Sequence, residues 1–247
     1  GSLTPFAATP VLMVAAKWEW DIAFMLSQIG WRAIIAVIFN AAVLTWLGQR
    51  WLRQLPLAAN DADQKIRGQV IPASVTLIHI VFLTTAVVFH HYPVVFLGLF
   101  LFFLGYTAAY PMYQTRLMLR EALLVAFFLA GLVVLGGLQA WWLQNLLTGL
   151  TPTVLFFSAT VLTAITDNAA ITYLGSLVEG TDNAFRYALV TGALAGGGLT
   201  VIANAPNPAG YALLKECFPE HTIAASKLLF KALAPTGVAI AVFWFIP

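Results

Sequence analysis

An isolated carboxylate in a long apolar stretch is the residue of this sequence best suited to chemistry. Asp167 is the only charged residue between Glu121 and Glu179. An ionised carboxylate deep in a membrane segment is costly, so such groups usually bind ions or carry protons. Removal from water also favours the neutral acid, and this would let Asp167 exchange a proton for a cation. The alternative is a capping aspartate that is satisfied by backbone amides.

Polar residues near two chain interruptions extend this hypothesis to an ion site. The apolar pattern breaks at Thr-Asp-Asn and again at Asn-Ala-Pro-Asn-Pro. Proline removes a backbone donor and kinks a helix, so the asparagines either restore hydrogen bonds or face a ligand. Oxygen ligands suit a hard cation, and we predict Na⁺ at Asp167. The predicted ion-binding residues are Thr166, Asp167, Asn168, Thr200, Asn204 and Asn207.

The composition predicts the kind of structure that must position these groups. Of 247 residues, 61% are hydrophobic and 9% are charged, against about 25% charged in soluble domains. An all-α, polytopic membrane protein fits this balance. A net charge of +2 excludes a nucleic-acid partner. The single cysteine excludes an intramolecular disulfide.

The apolar segments and basic residues together predict a re-entrant hairpin. Segments suited to a membrane are residues 3–16, 22–49, 70–89, 94–113, 117–140, 151–178, 184–217 and 223–246. Basic residues favour the cytoplasmic side. Those placed inside are Arg50, Arg53, Lys65, Arg67, Arg116, Arg120, Lys215, Lys227 and Lys231. This sidedness requires residues 151–178 to enter and leave by one face, with the tip at 166–168. Each half has about 14 residues and is too short to span.

An internal repeat predicts the wider architecture. GSLTPFAATP at residues 1–10 aligns with GGLTVIANAP at 197–206, with five identities at a constant separation of 196 residues. The predicted topology gives the copies opposite orientations, as in inverted-repeat secondary transporters. We assign residues 1–49 to the end of a truncated first repeat, 50–69 to a cytoplasmic loop and 70–247 to the second repeat. We also expect another Asp-Asn break about 30 residues before Gly1.

Other polar residues give weaker evidence of a functional role. In the first copy only Thr4 or Thr9 could serve as a polar ligand. His79 could relay protons, although a hydrogen-bonded structural histidine is favoured. Arg32 is interpreted as marking the outer boundary of its span. The glycines at 192 and 196–198 resemble close-packing positions.

Two stretches carry a family resemblance. ITDNAAITYLGSLVEG and GALAGGGLTVIANAPNPAGYALLK, with the opening LTPFAATPVLMVAAKW, resemble the bacterial putative Na⁺/H⁺ antiporter family. That family belongs to the ion transporter superfamily, with arsenite, citrate and dicarboxylate carriers. The resemblance implies a multi-pass antiporter of the bacterial cytoplasmic membrane with paired re-entrant hairpins. It points to Asp167, Asn168, Asn204 and Asn207 as site residues.

The sequence features favour one of three functional classes. A cation/proton antiporter, with the lipid bilayer, a monovalent cation and H⁺ as partners and with no cofactor, agrees best with Asp167. An anion carrier on the same scaffold is the alternative, in which helix N-termini and Asn or Thr side chains hold a carboxylate or oxyanion. An enzyme has no supporting motif. A homodimer is compatible with the sequence.

Overall fold

The computed structural model describes residues 1–54, 71–89, 92–114 and 117–246. Within these ranges the regular secondary structure is helical, with no strand. The chain divides into two compact units, Gly1–Leu47 with Arg120–Pro247 and Gly48–Leu119. These units reflect packing, so the repeat boundaries at residues 49 and 69 stay a prediction. Lys65, Arg67 and Arg116, which were predicted to be cytoplasmic, and most of the 50–69 loop lie outside the described residues.

Most of the described helices lie wholly or mainly in the first unit. They are α1 (Thr9–Ala15), α2 (Ile22–Leu52), α5 (Leu119–Gly137), α6 (Ala140–Leu147), α7 (Pro152–Ile165), α8 (Asn168–Ser176), α9 (Asn183–Gly196), α10 (Asn207–Leu214) and α11 (Ala225–Phe245). The second unit contains α3 (Ala73–Val88) and α4 (Pro93–Ala109). Short 3₁₀ turns cover Pro111–Tyr113, Lys215–Cys217 and Pro219–His221.

Three of these helices are long and apolar enough to cross a membrane. They are α2, α5 and α11, and α3, α4 and α7 are shorter apolar helices. Large apolar side chains on α5, such as Phe127 and Val134, are about 70% exposed in the isolated chain. Such surfaces suit contact with lipid rather than water. The protein is therefore a helical membrane protein.

Two predicted spans differ in detail from the helices that form. Helix α2 contains a π-helical stretch, Met25–Gly30, between α-helical segments. A Cβ on Gly30 would lie 3.0 Å from the carbonyl oxygen of Met25, so glycine suits this widened turn. The predicted span at residues 117–140 ends as a helix at Gly137, and α6 starts separately at Ala140.

Close backbone packing joins α7 to α9. A Cβ on Gly192 would lie 2.3 Å from the carbonyl oxygen of Phe156, and one on Gly196 would lie 2.4 Å from that of Thr160. The Thr160 hydroxyl also donates to the Gly192 carbonyl at 3.0 Å. Among lipid tails, helices associate through such close packing and hydrogen bonds rather than the hydrophobic effect. Since both contacts advance by four residues, α7 and α9 run in the same direction.

Helix α8 runs opposite to α9. The Cβ position of Gly175 faces Leu189, whereas that of Gly197 lies 2.8 Å from the Asn168 side-chain nitrogen. Residue numbers thus rise along α8 while they fall along α9. Because α7 and α9 are parallel, α7 and α8 are antiparallel, and the chain reverses at residues 166–167.

Helix α1 lies along α8 in the same direction. The Thr9 hydroxyl bonds to the Asn168 side chain near the start of α8. At the other end, the Lys17 ammonium donates to the carbonyl of Ser176, where a cation is favoured at a helix C-terminus. The core between α1, α7, α8 and α9 is filled by apolar side chains that include Val11, Phe156 and Leu189.

Substituting Gly196 tests the α7–α9 packing. We expect Gly196→Ala to lower the free energy of unfolding by about 1–3 kcal/mol, because the added methyl meets the Thr160 backbone. Gly198→Ala is the matched control, since no atom lies within 4 Å of its Cβ position. The measurement is thermal stability by fluorescence size-exclusion chromatography. Equal melting temperatures for both variants would contradict the packing described.

Candidate functional site

The reversal between α7 and α8 is built by a capping aspartate. Helix α7 ends at Ile165, and Thr166 and Asp167 adopt extended backbone angles. The Asp167 carboxylate accepts a hydrogen bond from the Ala169 amide at 2.7 Å, which satisfies an amide of the first turn of α8. The capping alternative is therefore correct as local structure, and the Asp167 carboxyl group lies at the tip.

This tip contacts the second chain interruption, an irregular segment between α9 and α10. The backbone amide of Asn168 donates to the Ala203 carbonyl at 3.0 Å. The Asp167 carboxylate also accepts from the amide of Ala205. On the other side of the tip, the Thr200 hydroxyl donates to the Ala164 carbonyl at 2.9 Å. The structure thus brings together Asp167, Asn168 and the segment that carries Thr200 and Asn204.

A third irregular segment, residues 1–8, leads into the same place. Thr9, the first residue of α1, has its hydroxyl oxygen 3.2 Å from Asn168 Oδ1 and 3.0 Å from Asn204 Oδ1. Asn168 is buried, and the other two residues are partly buried. Three side-chain oxygens from three separate parts of the chain therefore meet beside the Asp167 tip.

Two predicted site residues use their polar groups elsewhere. Asn207 Nδ2 donates to the carbonyls of Gly197 at 2.8 Å and Thr200 at 2.9 Å, so this amide holds the irregular segment together. The Thr166 hydroxyl donates to the carbonyl of Leu162 at 2.9 Å, and the residue is exposed. In the described structure neither side chain is hydrogen-bonded to the side-chain oxygens of Thr9, Asn168 or Asn204, and the role of both residues as ion ligands stays a prediction.

The other polar residues singled out in the sequence have structural partners. His79, in the second unit, bonds through Nδ1 to the Val75 carbonyl at 2.8 Å and through Nε2 to Gln114 at 3.1 Å. Arg32 Nε donates to the carbonyl of Ile246 just beyond α11 at 3.0 Å. Arg32 is thus a helix-end partner in addition to the boundary position predicted for it.

Two contributions of the first copy carried little signal in the sequence. Thr9 was one of two possible polar ligands by the repeat alignment, but nothing in the sequence showed that it meets Asn168 and Asn204. Lys17 is a basic residue just beyond an apolar segment, and this position gives no sign of its contact with Ser176. Both contacts join residues 159 or more positions apart, and a pattern in one stretch of sequence cannot reveal such pairs.

The oxygen ligands of the arrangement are of the kind that can hold a cation. In the described residues no group of three or more His, Cys, Asp or Glu side chains could hold a metal ion. The tip supplies one carboxylate, and the side-chain oxygens of Thr9, Asn168 and Asn204 meet at the start of the same helix, α8. Oxygen ligands with a single negative charge match a cation of low charge.

Broken helices that meet around a carboxylate, in a helical membrane protein, are features of secondary transporters. The chain belongs to the putative Na⁺/H⁺ antiporter family, whose model matches residues 1–246. Membership in this family identifies a transporter rather than an enzyme. No curated protein and no solved structure matches the chain.

The position of Asn207 gives a prediction about stability. Asn207→Asp replaces a donor that serves two carbonyls with an acceptor, so we expect the free energy of unfolding to fall by about 1–3 kcal/mol. Asn183→Asp is the control, because Asn183 is exposed at the start of α9, where a negative charge is favoured. Thermal unfolding in detergent measures both. Unchanged stability of the Asn207 variant would show that these two bonds are unimportant.

Proposed function

We propose that this chain is part of a secondary active cation/proton antiporter that exchanges Na⁺ for H⁺. The observation that carries the proposal is the contact between the Asp167 tip and the Thr200–Asn207 segment. Two interruptions of apolar helices meet there around one carboxylate. Family membership supports cation/proton antiport in general. The ion-binding residues proposed are Asp167 with Asn168, Thr166, Thr200, Asn204 and Asn207.

Exchange follows from a single carboxylate that accepts one positive charge at a time. The Asp167 carboxyl group faces the backbone amides of Ala169, Ala170 and Ala205. In an apolar surrounding, a bound proton or a bound Na⁺ neutralises the negative charge of the carboxylate. The two ligands compete for the same group, so binding of Na⁺ on one side of the membrane releases a proton there. Release of Na⁺ on the other side allows a proton to bind.

We also propose that α7 and α8 form a re-entrant hairpin in the membrane. Their antiparallel course and the tip at Thr166–Asp167 support this proposal. Helix α7 has 14 residues and α8 has 9, and a span needs about 20. Each arm is therefore long enough to reach the interior of the bilayer without crossing it.

Pairs of nearly equivalent residues support an inverted repeat. With copies 196 residues apart, a residue close to a two-fold axis lies next to its own counterpart. Thr9 bonds to Asn204, and Asn40 Nδ2 donates to the Pro235 carbonyl at 3.2 Å. Each pair is separated by 195 positions, one less than the repeat. We propose a pseudo-two-fold axis through these contacts, with α2 and α11 as equivalent spans.

The proposed repeat also accounts for an unpaired hydroxyl. Thr200 donates to Ala164 of the hairpin, whereas its counterpart Thr4 has a buried hydroxyl with no hydrogen-bond partner in the described structure. Likewise, α1 buries four residues but α10 buries none. We propose that a hairpin equivalent to α7 and α8 packs against Thr4 and α10 in the assembled transporter.

The anion carrier remains the alternative function, but it has less support. An anion would be drawn to the amides at the start of α8. Asp167 already bonds to the Ala169 amide there, and its charge would repel a second anion. We propose that the protein crosses the bacterial cytoplasmic membrane several times. A homodimer is one oligomeric state compatible with this proposal.

Replacing Asp167 tests the proposed exchange. We expect Asp167→Asn to abolish Na⁺-driven proton exchange, because it removes both the counter-ion of Na⁺ and the proton acceptor. Asparagine also caps helices well, so folding should persist. The measurement is dequenching of a pH-sensitive dye in everted membrane vesicles after Na⁺ addition.

A second capping aspartate provides the matched control for this experiment. Asp182 accepts from the Phe185 amide at 2.8 Å at the start of α9, and it is exposed. Asp182→Asn should exchange Na⁺ for H⁺ as the wild-type protein does. Fluorescence size-exclusion checks that both variants are expressed and folded. Normal exchange by Asp167→Asn would remove Asp167 from the mechanism.

A further inference from the structure

Three side-chain oxygens face one another with too few protons between them. Thr9 Oγ1 lies 3.2 Å from Asn168 Oδ1 and 3.0 Å from Asn204 Oδ1. A hydroxyl has one proton, and the two amide oxygens are acceptors only. The Thr9 hydroxyl can therefore give a full hydrogen bond to only one of the two asparagines. The Oδ1 atom of the other asparagine then faces the Thr9 oxygen with no proton between them. A positive charge among these atoms would satisfy all three oxygens together.

We infer that Thr9 is a cation ligand and that it completes a Na⁺ site with the side-chain oxygens of Asn168 and Asn204. This inference rests on the proposed antiport function and adds to it a ligand from the first copy of the repeat. Carbonyl and hydroxyl oxygens are hard donors that suit such an ion. Asp167, next to Asn168 in the chain and bonded to the amide of Ala205, supplies the neighbouring negative charge.

The charges around the cluster favour a monovalent ion. Asp167 is the one carboxylate among the residues named at this tip, and the three oxygens of the cluster are neutral. Divalent ions in oxygen sites are usually held by several carboxylates, and the described residues contain no such acidic group. The close spacing of the oxygens also favours a small ion, since ligands around K⁺ stand further apart than those around Na⁺ or Li⁺.

The cluster has a second closed arrangement without an ion. Rotation of either asparagine amide by half a turn points its Nδ2 group at Thr9. The amide then donates to the Thr9 oxygen while the hydroxyl donates to the other asparagine. Thr9 thus has a partner in both states, and an amide rotation accompanies Na⁺ binding and release.

The site is asymmetric between the two copies. At the separation of 196 residues, Thr9 corresponds to Ala205, which has no hydroxyl, and Asn204 corresponds to Ala8. Each copy therefore supplies an oxygen that the other lacks. A ligand set drawn from α1, α8 and the segment before α10 joins both repeats through one ion.

The test is Na⁺ binding by the purified intact protein, measured as thermal stabilisation over a Na⁺ titration with choline as the balancing cation. Thr9→Val keeps the shape and removes the hydroxyl, and we expect it to weaken apparent Na⁺ affinity about tenfold or more. Thr9→Ser keeps the oxygen and should stay within about threefold of wild type. Li⁺ should stabilise the wild-type protein as Na⁺ does, and K⁺ should not.

Two further variants make the result specific. Thr148→Val is the control, because this exposed threonine between α6 and α7 donates to the carbonyl of Gln144 and belongs to no proposed site; its Na⁺ affinity should be unchanged. Asn204→Ala removes a different oxygen of the cluster and should weaken Na⁺ binding as Thr9→Val does. It provides the same test if Thr9→Val does not fold.

The outcomes separate this inference from the proposed function. Wild-type Na⁺ affinity in Thr9→Val, with binding lost in Asp167→Asn, overturns the role of Thr9 and leaves antiport intact. Equal weakening by Thr9→Ser and Thr9→Val also overturns it, because the hydroxyl is then irrelevant. A wild-type protein that Na⁺ does not stabilise, and an Asp167→Asn variant that exchanges normally, overturn both.

Discussion

Unpaired backbone groups are the constraint on which this structure depends. Where a helix breaks among apolar surroundings, lipid cannot replace the lost hydrogen bonds, so protein groups must do so. Here the breaks satisfy one another. The backbone amide of Asn168 donates to the Ala203 carbonyl, and the Thr200 hydroxyl donates to the Ala164 carbonyl. The side-chain amide of Asn207 donates to two carbonyls of its own segment. The meeting of the interruptions is therefore a requirement of stability before it is a feature of function.

The same requirement creates conditions for ion binding. Backbone that is not helical presents amides and carbonyls to a shared space, and the polar side chains that complete their pairing bring further oxygens. Asp167 is the clearest case, because it caps α8 and carries the negative charge of the tip. Asparagine in place of Asp167 can still cap the helix, but it cannot supply the negative charge. Under the proposed mechanism, stability and transport can thus be separated at one position.

Much of this arrangement could be predicted from local sequence. The break at Asp167 was visible as polar residues in an apolar run, and α7 and α8 end and begin on either side of it. The contact of Thr9 with Asn168 and Asn204 could not be predicted, since it depends on how α1 packs against α8. The π-helical stretch in α2 was also missed, because no local pattern within Met25–Gly30 marks a widened turn. Hydropathy reports which residues avoid water but not which of them meet.

The central claim is that one carboxylate is shared between a proton and a cation. Counting protons released when Na⁺ binds to the purified wild-type protein, in weakly buffered solution over a series of pH values, tests it most directly. We predict proton release that saturates together with Na⁺ binding and that vanishes once the pH is high enough for Asp167 to have lost its proton. Saturable Na⁺ binding with no proton release at any pH in the series would contradict the claim.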